Sequence, residues 1–162
     1  MNYRIQEIKA LLYRILLVFL FYTIFRFLFI YFNYDLLDLN SNIKIIDLAL
    51  AGLRFDFSAI VYINIIFIFL SIIPFPKTTS GLYQKILFLV YFVFNGIGML
   101  MNFIDFGYYR FNLNRIMSNF FEVIKYETNK KTLFFHFFYT HFNLVLLYII
   151  LFFIWFYLYI KI

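Results

Sequence analysis

Four stretches of this 162-residue chain stay apolar for as long as a hydrocarbon layer is thick, and that limits its fold more than any other feature. A bilayer core about 30 Å thick is crossed by roughly 20 helical residues. The stretches run over about residues 10–32, 53–73, 86–104 and 142–160. The first is too long for a signal peptide and lacks the small-residue cleavage site, so it reads as a retained anchor. The second stops at Pro74-Phe75-Pro76, where proline has no amide to continue a helix. A short polar turn over residues 77–85 follows, and Lys161 closes the last stretch. No run alternates polar and apolar residues in the manner of a membrane barrel. The expected fold is all-α: a polytopic membrane helix bundle of four transmembrane helices with interfacial amphipathic helices, a single membrane domain over residues 1–162.

Composition points the same way. The chain is 65% hydrophobic and only 14% charged, whereas soluble domains are about half apolar and roughly a quarter charged. A water-soluble globule of this size has too little polar surface to cover so much hydrocarbon. The absence of cysteine excludes disulfides, thiolate metal sites and cysteine nucleophiles. A net charge of +6 in such a chain serves orientation and contact with anionic headgroups, and nucleic acid is not an expected partner.

Two connecting segments are amphipathic. Leu113, Ile116, Met117, Phe120, Phe121 and Ile124 fall on one helical face and Asn114, Arg115, Ser118, Asn119, Glu122 and Lys125 on the other, which predicts an interfacial helix over about residues 113–125. A helix packed on the rest of the protein has the same pattern. Before the second span, Ile43, Ile46, Leu50, Leu53 and Phe57 share a face and predict a surface run.

Basic residues divide almost evenly between the two sides. Arg4, Lys9, Arg14, Lys77, Lys85 and Lys161 lie with the N-terminus, and Lys44, Arg54, Arg110, Arg115, Lys125, Lys130 and Lys131 lie opposite. The start of the first helix carries Arg4, Lys9 and Arg14, so a cytoplasmic N-terminus is expected. The basic excess on the outer side then points to anionic lipid headgroups or a lipid-linked substrate.

Helix rise converts sequence position into depth. Counting about 1.5 Å per residue from the far end of each span brings Arg54, Asp56, Asp105 and His141 to one layer at the outer boundary. Charges so close to hydrocarbon find partners, and Arg54 paired with Asp105 or Asp56 is the expected contact. Such a pair serves either to dock two helices or to hold a headgroup or a further domain. Asn95, Gly98, Asn102 and Asp105 make one small or polar face of the third span, a pattern of close helix packing. Arg26, inside the membrane edge, either snorkels outward or pairs with a neighbouring helix. Gly96 and Gly98 form no phosphate loop, and His136 and His141 lack a third ligand at metal spacing. Neither a catalytic set nor a cofactor site is expected in these residues.

The string Gly52-Leu53-Arg54-Phe55-Asp56-Phe57-Ser58-Ala59-Ile60, continued by Tyr62-Ile63-Asn64 and Pro74-Phe75-Pro76, resembles the N-terminal membrane region of bacterial lipoteichoic acid synthase-like proteins. So does Asn102-Phe103-Ile104-Asp105-Phe106-Gly107-Tyr108-Tyr109-Arg110-Phe111, with Arg115 after it. These are sulfatases or phosphoglycerol transferases of the alkaline phosphatase superfamily. The resemblance spans residues 51–115 and extends beyond them only in layout. It implies about five transmembrane helices and a large extracytoplasmic domain, in which a threonine nucleophile and a divalent metal such as manganese transfer phosphoryl or sulfuryl groups. This chain would then be the anchoring region without its last span and catalytic domain, which would be encoded separately or lost. The resemblance implies a bacterial cytoplasmic (inner) membrane and a cytoplasmic N-terminus. It places Arg54, Asp56, Asp105, Tyr108, Tyr109, Arg110 and Arg115, with His141 at the same depth, on the face toward the catalytic domain. The alternative from a different class is a stand-alone small membrane protein for lipid binding or assembly with a partner.

Overall fold

The computed structural model describes residues 2–37, 45–73, 80–115, 135 and 138–161. Its elements are α1 (Asn2–Phe32), α2 (Ile45–Ile63), α3 (Ile65–Ile72), α4 (Gly81–Asn112) and α5 (Phe142–Ile160), and the described residues contain no strand. Helices α1, α4 and α5 are each long and apolar enough to cross a membrane, while α2 and α3 pass the same test only as a bent pair.

Helix α1 packs against each of the four other helices among the described residues. Val18, Phe21, Tyr22, Phe25 and Phe29 recur at helical spacing and are buried along its inner side. Its outer side carries Leu12, Leu16, Leu20, Phe27 and Tyr31, all exposed. A helix apolar on every side suits lipid around the bundle, since water does not accommodate so large an apolar surface. Helix α4 buries Leu87, Tyr91, Asn95, Met99, Phe103 and Phe106, spaced by four and finally three residues.

Side-chain contacts fix the helix directions. Arg4 reaches the Ile72 carbonyl and Arg26 reaches Asp56, so α1 runs opposite to α2 and α3. Tyr91 donates to the Arg14 carbonyl and Phe106 packs on Phe29, so α4 runs alongside α1. Phe103 meets Tyr148 while Phe88 meets Tyr159, which sets α5 antiparallel to α4. These last two helices meet through rings, with Phe92 and Trp155 centroids 4.4 Å apart and Tyr91 and Tyr159 4.8 Å apart. Such ring pairs add about 0.5–1.5 kcal/mol beyond the area they bury.

The expected second span over residues 53–73 is not one straight helix. It begins earlier, with α2 at Ile45, and breaks at Asn64, where α2 and α3 are bent by 59°. The approach segment containing Ile46 and Leu50 therefore belongs to the same helix as the first half of that span. The Asn64 amide nitrogen donates to the Ile60 carbonyl (2.9 Å) and to Asn95 Oδ1 (2.8 Å), and Asn95 returns a bond to Asn64 Oδ1 (2.7 Å) while donating to the Tyr91 carbonyl (2.8 Å). Both amides are buried and all four of their N–H groups are used. The Asn64 backbone stays bonded through the bend, its N–H donating to the Ile60 carbonyl (2.9 Å) and its carbonyl accepting from the Ile68 N–H (2.8 Å).

Helix α4 is capped at its start by Ser80, whose side chain accepts from the Tyr83 amide, and at its end by Leu113 in the left-handed conformation, φ 54°. A non-glycine residue there costs about 1–2 kcal/mol. The interfacial helix expected over residues 113–125 accordingly does not begin at 113: residues 113–115 are not helical, and 116–125 lie outside the described residues. Pro74, Phe75, Pro76 and His136 also lie outside them.

Candidate functional site

The ion-paired side chains gather at the end of the bundle formed by the C-terminal halves of α1 and α4. Arg26 donates two hydrogen bonds to Asp56, Nε to Oδ2 at 2.7 Å and Nη2 to Oδ1 at 2.5 Å. The side chains are only 19% and 14% exposed. This fork-to-carboxylate geometry is the strong form of an arginine pair. Gly52, one turn before Asp56, makes room for it, because a Cβ at that position would overlap the Arg26 guanidinium.

A second pair joins Arg115 Nε to Asp105 Oδ2 at 2.5 Å, with Asp105 buried and Arg115 about half exposed. The Arg115 guanidinium also lies over the Phe29 ring, 4.8 Å from its centroid, and Tyr109 meets the same ring edge-on at 5.1 Å. Thus α1, α4 and the chain leaving α4 are fastened around Phe29. The third pair, Arg110 with Asp35 at 2.8 Å, ties α4 to the turn after α1 and is open to solvent. Exposed pairs of this kind contribute at most about 1 kcal/mol.

The expected pairing of Arg54 with Asp56 or Asp105 is not formed: Asp56 goes to Arg26 and Asp105 to Arg115. The reason is helical phase. Residues two apart on a helix point to opposite sides, so when Asp56 faces α1, Arg54 faces away. It stands exposed in an open groove with Leu50, Ala51, Phe55 and Ser58. Of the candidate residues, Asp105, Tyr109 and Arg115 come together around Phe29, whereas Asp56 and Arg110 find partners outside the set. Tyr108 is partly buried on α4, and His141 is the residue before α5, with its Nε2 buried.

Depth counting missed Arg26 as the partner of Asp56, Asp35 as the partner of Arg110, and the Asn64–Asn95 pair. Part of the signal was in the sequence. Gly52 and Asp56 are four apart and share a face, a small residue beside an acid that suits an approaching arginine. Asn102 bonds back to the Gly98 carbonyl, and Gly98 accommodates Tyr22, whose hydroxyl a Cβ at 98 would overlap. The small-polar face of α4 is thus largely spent on helix packing.

Among the described residues, no three of His, Cys, Asp and Glu gather in reach of one metal ion. Comparison with family models, curated proteins and solved structures found no match.

Proposed function

We propose that this chain is the membrane-anchoring domain of a lipoteichoic acid synthase-like sulfatase or phosphoglycerol transferase. In this reading α1, α4, α5 and the bent α2–α3 pair each cross a bacterial cytoplasmic membrane, with the N-terminus inside. The domain then positions the catalytic domain at the outer face. The observation that carries the reading is the ion-paired end. The two strings that resemble the family supply Asp56, Asp105, Arg110 and Arg115, and all four are engaged in pairs that fasten neighbouring segments.

An anchor of this kind acts by geometry. Tethering a catalytic domain beside a membrane raises its effective concentration toward lipid-linked substrates, provided the helix ends keep a fixed arrangement. The Arg26–Asp56 and Asp105–Arg115 pairs support that fixity, and the exposure of Arg54 leaves it open to contact with phosphate headgroups. The threonine nucleophile and divalent metal would belong to the catalytic domain.

Translating the genomic DNA beyond codon 162, in every frame and into the next gene, tests the reading. One further span followed by a domain with a threonine nucleophile and clustered Asp and His ligands is the expected result. Unrelated genes there would overturn it in favour of a stand-alone membrane protein. Hydrolysis of a phosphate or sulfate ester by the purified chain with added manganese would overturn it as well.

A further inference from the structure

At the opposite end of the bundle, where α3 and α5 finish and α4 begins, a pocket of about 90 Å³ is lined by Glu7, Arg14, Ser71, Tyr83, Gln84 and apolar residues of α1 and α4. Its position is set by helix ends. Ser71 is in the last turn of α3, Tyr83 and Gln84 are in the first turn of α4, and Tyr159 in the last turn of α5 flanks Arg14. In a membrane crossed by these helices that level is the boundary between acyl chains and headgroups.

Arg14 is the unusual group. It is half-buried, its guanidinium lies over the Tyr159 ring at 4.4 Å, and its Nε is buried without a hydrogen-bond partner. None of the ion pairs among the described residues includes it. A guanidinium held on a ring with donors unused is set to receive an oxyanion in a forked contact. The rest of the lining is unsuited to a simple anion. Glu7 lies two turns away on the same side of α1 and lines the same pocket, and the Ser71 hydroxyl already gives its proton to the Phe67 carbonyl (2.7 Å), leaving acceptor lone pairs. The Tyr83 hydroxyl gives its proton to the Leu70 carbonyl.

One cation outside every ion pair among the described residues, a carboxylate and two committed hydroxyls in one pocket match a ligand that carries a phosphate and a hydrogen-bonding ammonium side by side. We infer that this pocket binds the phosphoethanolamine headgroup of an aminophospholipid, with Arg14 on the phosphate and Glu7 and Ser71 accepting from the ammonium. The acyl chains would lie along the exposed apolar surface of α1. A phosphatidylglycerol headgroup would meet Glu7 without an ammonium to offer it, and a choline headgroup has no N–H to donate.

The test is native mass spectrometry of the purified full chain with phosphatidylethanolamine, phosphatidylglycerol or phosphatidylcholine of identical acyl chains. Phosphatidylethanolamine should be retained about tenfold more strongly than either of the others, the gain of one charge-assisted contact. Arg14→Gln should lower its retention about tenfold. Glu7→Gln, in the second turn of α1 and outside the buried core, should lower phosphatidylethanolamine to the level of phosphatidylcholine without changing the latter. Soluble phosphoethanolamine should fail to displace the lipid. Equal or stronger retention of phosphatidylglycerol, no effect of Glu7→Gln in a chain of unchanged circular dichroism, or displacement by the soluble headgroup would each overturn the assignment.

Discussion

Arg26 and Arg14 both sit on α1, twelve residues apart, and the bundle treats them in opposite ways. Arg26 is met by a carboxylate in fork geometry, over a glycine that clears its path. Arg14 is met by a tyrosine ring and a pocket. Burying an arginine against a carboxylate gives a contact that is strong only while both partners are present, because removing one leaves the other charged and poorly solvated. Resting an arginine on a ring leaves its donors free. The first arrangement holds helices together, whereas the second is poised for a ligand.

The largest effect that tests this contrast is on stability. Arg26→Met should cost about 3 kcal/mol by leaving Asp56 half-buried and unpaired. Arg14→Met should stay within about 1 kcal/mol of the natural chain, losing only the ring contact. Both are read from unfolding of the purified protein in mixed micelles. The double variant Arg26→Met, Asp56→Leu should regain most of the loss, since an apolar pair of similar volume replaces a desolvated ionic one. If Arg14→Met proved as costly as Arg26→Met, both arginines would be structural and the contrast would collapse.

The amide pair at the helix break comes next. Asn64→Leu should cost about 2 kcal/mol because it leaves the Asn95 amide buried without its partner. The double variant Asn64→Leu, Asn95→Leu should cost about 1 kcal/mol less than the sum of the two single losses, the coupling energy read from the double-mutant cycle. Full additivity of the two single losses would show that the amides act independently, and that the bend at Asn64 is held by other packing.

How far such features were legible follows from what each depends on. The all-helical class was readable because long apolar runs between polar turns leave few alternatives, and α5 occupies the same residues, 142–160, as the fourth apolar stretch. Rise per residue correctly marked Asp56 and Asp105 as acids needing partners, but rise carries no information about which neighbour each side chain faces. Arg26 and Asp56 are thirty residues apart, and Asn64 and Asn95 thirty-one. Those pairings arise from how α1, α2 and α4 are set side by side, which no local pattern states. The bend was hidden for the same reason, since an asparagine in an apolar run reads as a tolerated polar residue until its partner is known.

Tyr22 gives the smallest expected effect and sharpens the contrast from the paired side. Its hydroxyl is buried and has no hydrogen-bond partner among the described residues, and it presses on α4 where Gly98 leaves room. An unsatisfied buried hydroxyl costs about 1 kcal/mol or more, so Tyr22→Phe should stabilise the bundle by about that amount while keeping the ring in the core. Gly98→Ala should destabilise the natural chain by about 1–3 kcal/mol through overlap with that hydroxyl. The same substitution should cost clearly less in the Tyr22→Phe background, because the atom in the way is gone. Equal costs in both backgrounds would mean that Gly98 is required by the close approach of α4 to another neighbour, and that the hydroxyl is not what the glycine accommodates.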